Sequence, residues 1–301
     1  MTTLRHWLVL APAPTPTPSL DISLTRAALA HGFEGVWVGE RLAGDSSARL
    51  AALAAAVPAV GLGLGLVPVT ARVRDHLQDT LTTLSLLAPG RTSLAFALPT
   101  TLSPLARPGW REALGEAADL ARRSGVPVCA AVHDVSTSVA AGRLVDRLVL
   151  RGVDPETVSR VHAATRALPR PPEVDVWLDA AGGGDGKALS VLAPIVAERL
   201  AVPGVAGHDA ARAVARRRGP SGLLGDVERA YALGRPDLAA AGVPEEFVRD
   251  TCLVGEGMSA RVAAYEAAGA TRVAVALHDT GDEDTTLAAV SGTALPDEPV
   301  T

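Results

Sequence analysis

The feature that most limits the fold is an alternation, repeated about eight times, of a short apolar run with a longer segment of helical periodicity. The apolar runs Trp7–Leu10, Val36–Val38, Val60–Val69, Arg91–Leu98, Val126–Val132, Leu148–Leu150, Val174–Leu178 and Arg272–Leu277 read as strands. Between them, Leu20–Ala30, Ser46–Val57, His76–Leu87, Trp110–Arg123, Val139–Arg147 and Pro155–Leu168 read as helices, and Lys187 to about Val254 as a mostly helical region with several breaks. A strand buried on both faces is a continuous apolar run, and a strand–helix–strand crossover brings the second strand back parallel to the first. Eight such units predict an α/β chain closed into a (β/α)8 TIM-type barrel over 1–278, with 279–301 an acidic, proline-containing and loosely held tail.

The length of 301 residues suits one barrel of about 250 residues as well as two smaller domains. Hydrophobic residues at 48% and charged residues at 20% favour a compact α/β enzyme over a disordered or fibrous chain. The net charge of −5, with no basic stripe, argues against nucleic acid or an anionic membrane as partner. The run Arg216-Arg217-Arg218 is expected to be a solvated helix end, where cations suit the dipole. Cys129 and Cys252 stand far apart without a histidine motif, so they read as small buried hydrophobes and not as zinc ligands. No apolar run reaches the roughly 18 residues a membrane span needs, and Pro12, Pro14, Pro16 and Pro18 end the first one in a stiff Pro-Thr loop expected at the barrel mouth. A soluble, cytoplasmic protein is the expectation.

Candidate site residues follow from the barrel, whose chemistry sits at the C-terminal ends of its strands. In Gly32-Phe33-Glu34-Gly35-Val36-Trp37-Val38-Gly39-Glu40-Arg41-Leu42 a helix stops at Gly32, a buried strand follows, and Glu40 and Arg41 project from its end. Gly61, Gly63 and Gly65 share one strand face and leave room for a neighbouring body, a packed helix ahead of a flat ligand. Their spacing is not the dinucleotide fingerprint, whose last glycine stands further on and opens a helix. His133 and His278 fall at strand ends as candidate acid/base groups without a partner visible in the sequence, and Asp179 ends a strand before the glycine-rich segment 182–186. The hydroxyls and backbone N–H groups of Ser136, Thr137 and Ser138 could cradle a phosphate, although Asp134 would repel it; the same residues are helix-cap material, which is the stronger reading. No nucleophile elbow, Walker or metal-ligand spacing is present.

Three segments resemble the luciferase-like monooxygenase superfamily: Gly32 to Glu40, Gly61-Leu62-Gly63-Leu64-Gly65 with Pro68-Val69-Thr70-Ala71-Arg72, and Leu84 to Arg91. Pro244 to Asp250, Leu253-Val254-Gly255 and Ala264 to Ala270 are similar to the closing helices of its deazaflavin-dependent reductase branch. The resemblance covers the first hundred residues and the last sixty well, and the middle weakly. It implies a β/α barrel that binds FMN or the deazaflavin coenzyme F-420 at the strand C-termini and passes hydride or oxygen to a small organic substrate, as a homodimer or heterodimer paired through the first helices. On it, Glu40 and Arg41 are the catalytic candidates, and Val69, Thr70, Ala97, His133, Ser136 and Thr137 the cofactor-binding ones. It also implies a non-proline cis peptide near Pro68-Val69-Thr70 against the ring.

The chain departs from the family in four places. Arg41 replaces a histidine, and guanidinium stays charged where imidazole shuttles a proton. Ala95-Phe96-Ala97 replaces a Gly-x-Gly on strand four, Val132 to Ser138 replaces a Gly-Pro turn, and the excursion between strands four and five is short. These departures support a second reading, a barrel without cofactor that serves as a binding or partner subunit or as a cofactor-independent catalyst.

Overall fold

The structure is a computed structural model that describes residues 4–10, 18–39, 46–68, 74–98, 109–278 and 283–293. Parallel strands β1 (Arg5–Leu10), β2 (Gly35–Val38), β3 (Gly61–Pro68), β4 (Thr92–Ala97), β5 (Val128–Val132), β6 (Arg147–Arg151), β7 (Glu173–Ala181) and β9 (Arg272–Leu277) pair in the order β6-β5-β4-β3-β2-β1-β9-β7. A further β6–β7 pairing closes the ring, and the two-residue β8 (Leu253–Val254) adds to β7 outside it. The eight-stranded barrel expected from the alternation is therefore the fold found.

Helices α1 (Pro18–Ala30), α2 (Ser46–Ala56), α3 (Arg74–Leu87), α4 (Trp110–Arg123), α5 (Val135–Gly142) and α6 (Pro155–Thr165) lie between the first seven strands. Leu50, Leu53, Leu81, Leu114, Val158 and Val161 on these helices are buried in one cluster with outward-facing strand residues such as Val36, Leu62 and Phe96. Asp154 caps α6, accepting from the Thr157 N–H at 3.0 Å, as the Asp-Pro-Glu opening predicts.

Between β7 and β9 the chain builds a second helical cluster from α7 (Asp185–Ala201), α8 (His208–Arg218), α9 (Leu223–Ala232), α10 (Pro236–Ala241) and α11 (Glu245–Thr251), with Leu192, Val196, Val214, Phe247 and Val248 at its centre. Arg217 and Arg218 at the end of α8 reach the buried Asp154 at 2.7 and 3.2 Å, so two of the three arginines read as a solvated helix end instead tie this cluster to α6. After α12 (Met258–Ala267) and β9, residues 283–291 correct the expectation of a loose tail. They form α13 (Glu283–Ser291), whose Thr286, Leu287, Ala288 and Val290 are buried. Its acidic and threonine-rich composition hides an apolar stripe that covers the ends of α1 and α12.

Inside the barrel the two-residue strand period sorts side chains into layers. Trp7 and Val9 on β1, Trp37 on β2, Ala95 on β4, Cys129 on β5, Val149 on β6, Trp177 on β7, and Ala274 and Ala276 on β9 form one interior cluster. The three tryptophans line up along it, their rings tilted against one another with centres 5.4 and 5.2 Å apart. The body that Gly61 and Gly63 accommodate is this aromatic core, neither a packed helix nor a ligand: a Cβ on Gly63 would stand 2.1 Å from the Trp37 ring, and one on Gly61 2.9 Å from Trp7. Cys129 and Cys252 are both buried free thiols, as expected, and burial pushes the Cys252 thiol up to about 12. Among the described residues no helix is long and apolar enough to cross a membrane, and no group of three metal-ligating side chains forms.

Candidate active site

The strand period that fills the barrel floor also decides what reaches its mouth. On β6 the interior positions are Arg147, Val149 and Arg151; on β7 they are Asp175, Trp177 and Asp179; on β9 they run from Arg272 through Ala274 and Ala276 to His278, just past the strand. Polar side chains thus occupy both ends of three neighbouring strands, with apolar side chains between. At the C-terminal end, Asp179 is buried and accepts from Arg199 of α7, from Arg151 at 3.1 Å and from His278 Nε2 at 2.9 Å. Burial alone would raise the Asp179 pKa, but the two guanidinium groups and the His278 hydrogen bond hold it well below the usual carboxylate range. Arg199 is fixed further by donating from Nε to the Ala206 carbonyl at 3.2 Å.

Above this cluster lies a cavity of about 590 Å³, within the range of small-molecule sites. Its two walls differ in chemistry. At the ends of β2, β3, β4 and β5 the cavity is lined by Gly39, Gly65, Ala97 and Ala131, which carry nothing longer than a methyl group, together with the apolar Leu66, Pro68, Leu98 and Val132 and the imidazole of His133. Arg151, Trp177 and His278 face them from β6, β7 and β9, joined by Arg199 and the α7–α8 connection through His208. His208 donates Nδ1–H to the Arg199 carbonyl at 2.8 Å, and its buried Nε2 has no partner among the described residues.

The sequence-derived site residues divide into three groups. Ala97 and His133 line the cavity. Ser136 and Thr137 are described but absent from its lining, because both are held by Asp134. Its carboxylate accepts from the Thr137 N–H at 2.7 Å and from the Ser136 hydroxyl at 2.8 Å, while the Ser138 hydroxyl donates to the Asp134 carbonyl at 2.6 Å. These are the cap contacts of α5, so the donors that a phosphate would need are already engaged by a carboxylate. Burial opposes the charge on Asp134, and the Thr137 and Ser136 hydrogen bonds more than offset it, so its pKa lies below the usual value. Glu40, Arg41, Val69 and Thr70 lie outside the described residues. A non-proline cis peptide is present, at Gly65–Leu66 and so upstream of the Pro68 to Thr70 segment where the resemblance implied it, beside the register shift of β3 against β4.

The reading of β4 changes as well. Phe96 packs outward among the helices, whereas Ala95 and Ala97 face inward, so the bulk that replaces Gly-x-Gly does not fill the cavity. Arg151, Arg199 and His208, which the sequence did not single out, stand in the polar wall beside His278, Glu198 and Asp209. The signal for the first was readable: charges at period two inside apolar strands mark a barrel interior.

No family model matches the chain, and no curated protein does. Solved structures do. The coenzyme F420-dependent tetrahydromethanopterin reductase from Methanopyrus kandleri superposes with a TM-score of 0.81 at 15% identity, over 97% of this chain and 99% of that one. An F420-dependent secondary alcohol dehydrogenase in complex with an F420–acetone adduct gives 0.70 at 16% identity, over 96% and 99%. The oxygenating constituent of 3,6-diketocamphane monooxygenase from Pseudomonas putida, in complex with FMN, gives 0.55 at 13% identity, over 99% of both chains. The chain therefore has the (β/α)8 fold of the luciferase-like flavin and deazaflavin enzymes.

Proposed function

We propose that this chain is a luciferase-like oxidoreductase that binds a flavin or deazaflavin ring in the mouth cavity and acts on a small organic substrate held against it. The observation that carries the reading is the unequal pair of walls. Gly39, Gly65, Ala97 and Ala131, with Leu66, Pro68, Leu98 and Val132 from the same strand ends, offer a largely apolar surface against which a flat ring can lie. The opposite wall supplies charge and hydrogen-bonding groups. When bound, the ring supplies hydride or activates oxygen; the protein supplies position and electrostatics. Arg151 and Arg199, both paired with Asp179, line the cavity beside Glu198 and Asp209, and Trp177 closes its floor. Arg41, next to Glu40 after β2, is assigned the stabilisation of an anionic reduced ring, and Arg41→Ala should weaken both ring binding and turnover.

One observation favours the second reading, a barrel without cofactor: Asp134 occupies the N-terminus of α5, where a ring phosphate would be repelled. Visible absorption and thermal unfolding with FMN and with the deazaflavin separate the two. A ring present at a hundred times its dissociation constant should add about 2.7 kcal/mol. No bound chromophore and no stabilisation by either ring would leave the binding or partner-subunit reading.

A further inference from the structure

The carboxylate at the mouth is outnumbered. Asp179 is 1% exposed and carries one negative charge, yet two guanidinium groups share it, Arg151 on Oδ1 and Arg199 on Oδ2. Guanidinium stays protonated at any ordinary pH, so this cluster holds one more cation than anion. The surplus is not shared evenly. Burial would lower the Arg199 pKa, but Asp179 and, more weakly, Glu198 raise it. Arg151 has Asp179 alone: burial and the neighbouring Arg199 charge push its pKa down beyond what that carboxylate restores. Glu198 and Asp209 line the same cavity, but among the described residues neither forms an ion pair with Arg151. Charge left over in a partly enclosed site is costly until a ligand answers it. Arg151 is placed to meet one, since it lines the cavity and keeps 23% of its side chain exposed. Its Nη2 is bonded to Asp179, whereas Nε and Nη1 have no partner among the described residues, and unlike Arg272 Nε neither is an enclosed orphan.

We propose that Arg151 anchors a carboxylate of the substrate, so that the compound presented to the ring is a small organic acid. This rests on the proposed function and deepens it by naming the substrate class. Guanidinium donates its N–H groups in one plane, which fits the two oxygens of a carboxylate, and the charged hydrogen bond formed there answers the surplus charge. Arg199 makes this possible: by taking Oδ2 it keeps Asp179 from giving Arg151 both oxygens, and so leaves Arg151 with N–H groups to spare. Leu66, Ala97, Leu98 and Ala131, in the same cavity, suit the apolar body of the acid.

The test needs no ring. Benzoate and benzamide are nearly the same shape and differ in charge, and their binding to full-length wild type, Arg151→Gln and Arg151→Lys is measured by calorimetry at neutral pH and low salt. Wild type should bind benzoate more tightly than benzamide. Arg151→Gln should lose about ten- to a hundredfold in benzoate affinity, the contribution of a hydrogen bond to a charged group, with benzamide binding unchanged. Arg151→Lys, which keeps the charge without the planar fork, should recover part of that loss. Equal affinity of wild type for the two probes, or benzoate affinity unchanged in Arg151→Gln, overturns the proposal. So does an Arg151→Gln protein that binds FMN more weakly but riboflavin equally well, followed by flavin absorption, because the anion held there would then be the ring phosphate. If no ring binds any of these proteins, the redox function fails, while the carboxylate anchor is judged on benzoate alone.

Discussion

Asp175 and Asp179 leave the same face of β7 four residues apart and each meets an arginine from another element, yet their pKa values shift in opposite directions although burial pushes both up. At the floor, burial raises the Asp175 pKa beyond what Arg272 and Arg147 offset, and burial likewise lowers that of Arg272. Their contact is a single 3.1 Å hydrogen bond; Asp175 Oδ1 and Arg272 Nε have no partner, and the Arg272 guanidinium sits 4.5 Å from the Trp7 ring centre. At the mouth, Asp179 has partners on both oxygens and Arg199 is raised, so pairing overcomes burial. A buried ion pair stabilises only when its remaining polar atoms are satisfied. The floor pair is a plug with incomplete contacts, whereas the mouth cluster is fully built around one carboxylate.

The comparison breaks most readily by substitution. Arg199→Met, which leaves Asp179 buried with less than its full set of partners, should lower stability by about 3–5 kcal/mol in urea unfolding. Replacing the floor pair together, Asp175→Leu with Arg272→Met, should be neutral or stabilising by about 1–4 kcal/mol. A floor double variant as damaged as Arg199→Met would show that the two ends are equivalent after all. Between the ends, Gly63→Ala drives a methyl group into the Trp37 ring and should cost about 1–3 kcal/mol, read as a lowered Tm.

The pH dependence sharpens the same contrast. Asp179 is depressed in the folded chain, so its contribution is complete above the unfolded carboxyl value of about 3.9 and is lost as pH falls through the lower folded value. Asp175 is raised, so the folded state binds its proton more readily, and stability declines as pH rises from about 3.9 through the folded value. The floor double variant should therefore gain stability relative to wild type as pH rises from about 4, and that gain should shrink in acid. Asp134→Ala, the smallest effect, removes the α5 cap for about 1 kcal/mol and should tighten binding of a phosphate-bearing ring if the carboxylate repels it.

The barrel was legible because its strands are apolar runs of the right length between helices with clear stops; Trp110–Arg123 and Arg272–Leu277 end where the sequence places them. Less of the site was. Asp175-x-Trp177-x-Asp179 already displays the interior period, yet the apolar run stops at Leu178 and puts Asp179 at the strand's end, when the strand runs on to Ala181. The partners of Asp179 lie 20, 28 and 99 residues away, and no local pattern connects them. Arg199 sits inside a helix whose periodicity explains it without reference to a site. The glycines of β3 signal room for a neighbour, but their spacing points to a packed helix, and only the closed barrel shows that tryptophans fill the space at Gly61 and Gly63.

The three neighbouring tryptophans also make the barrel its own optical probe. Trp7, Trp37 and Trp177 are nearly excluded from water, so their emission should be blue-shifted, and their close spacing lets excitation migrate along the column to Trp177 beneath the cavity. A yellow or near-ultraviolet-absorbing ring seated above that residue would drain the emission of the whole column, so occupancy of the mouth could be followed in the unmodified protein by the dimming of its core.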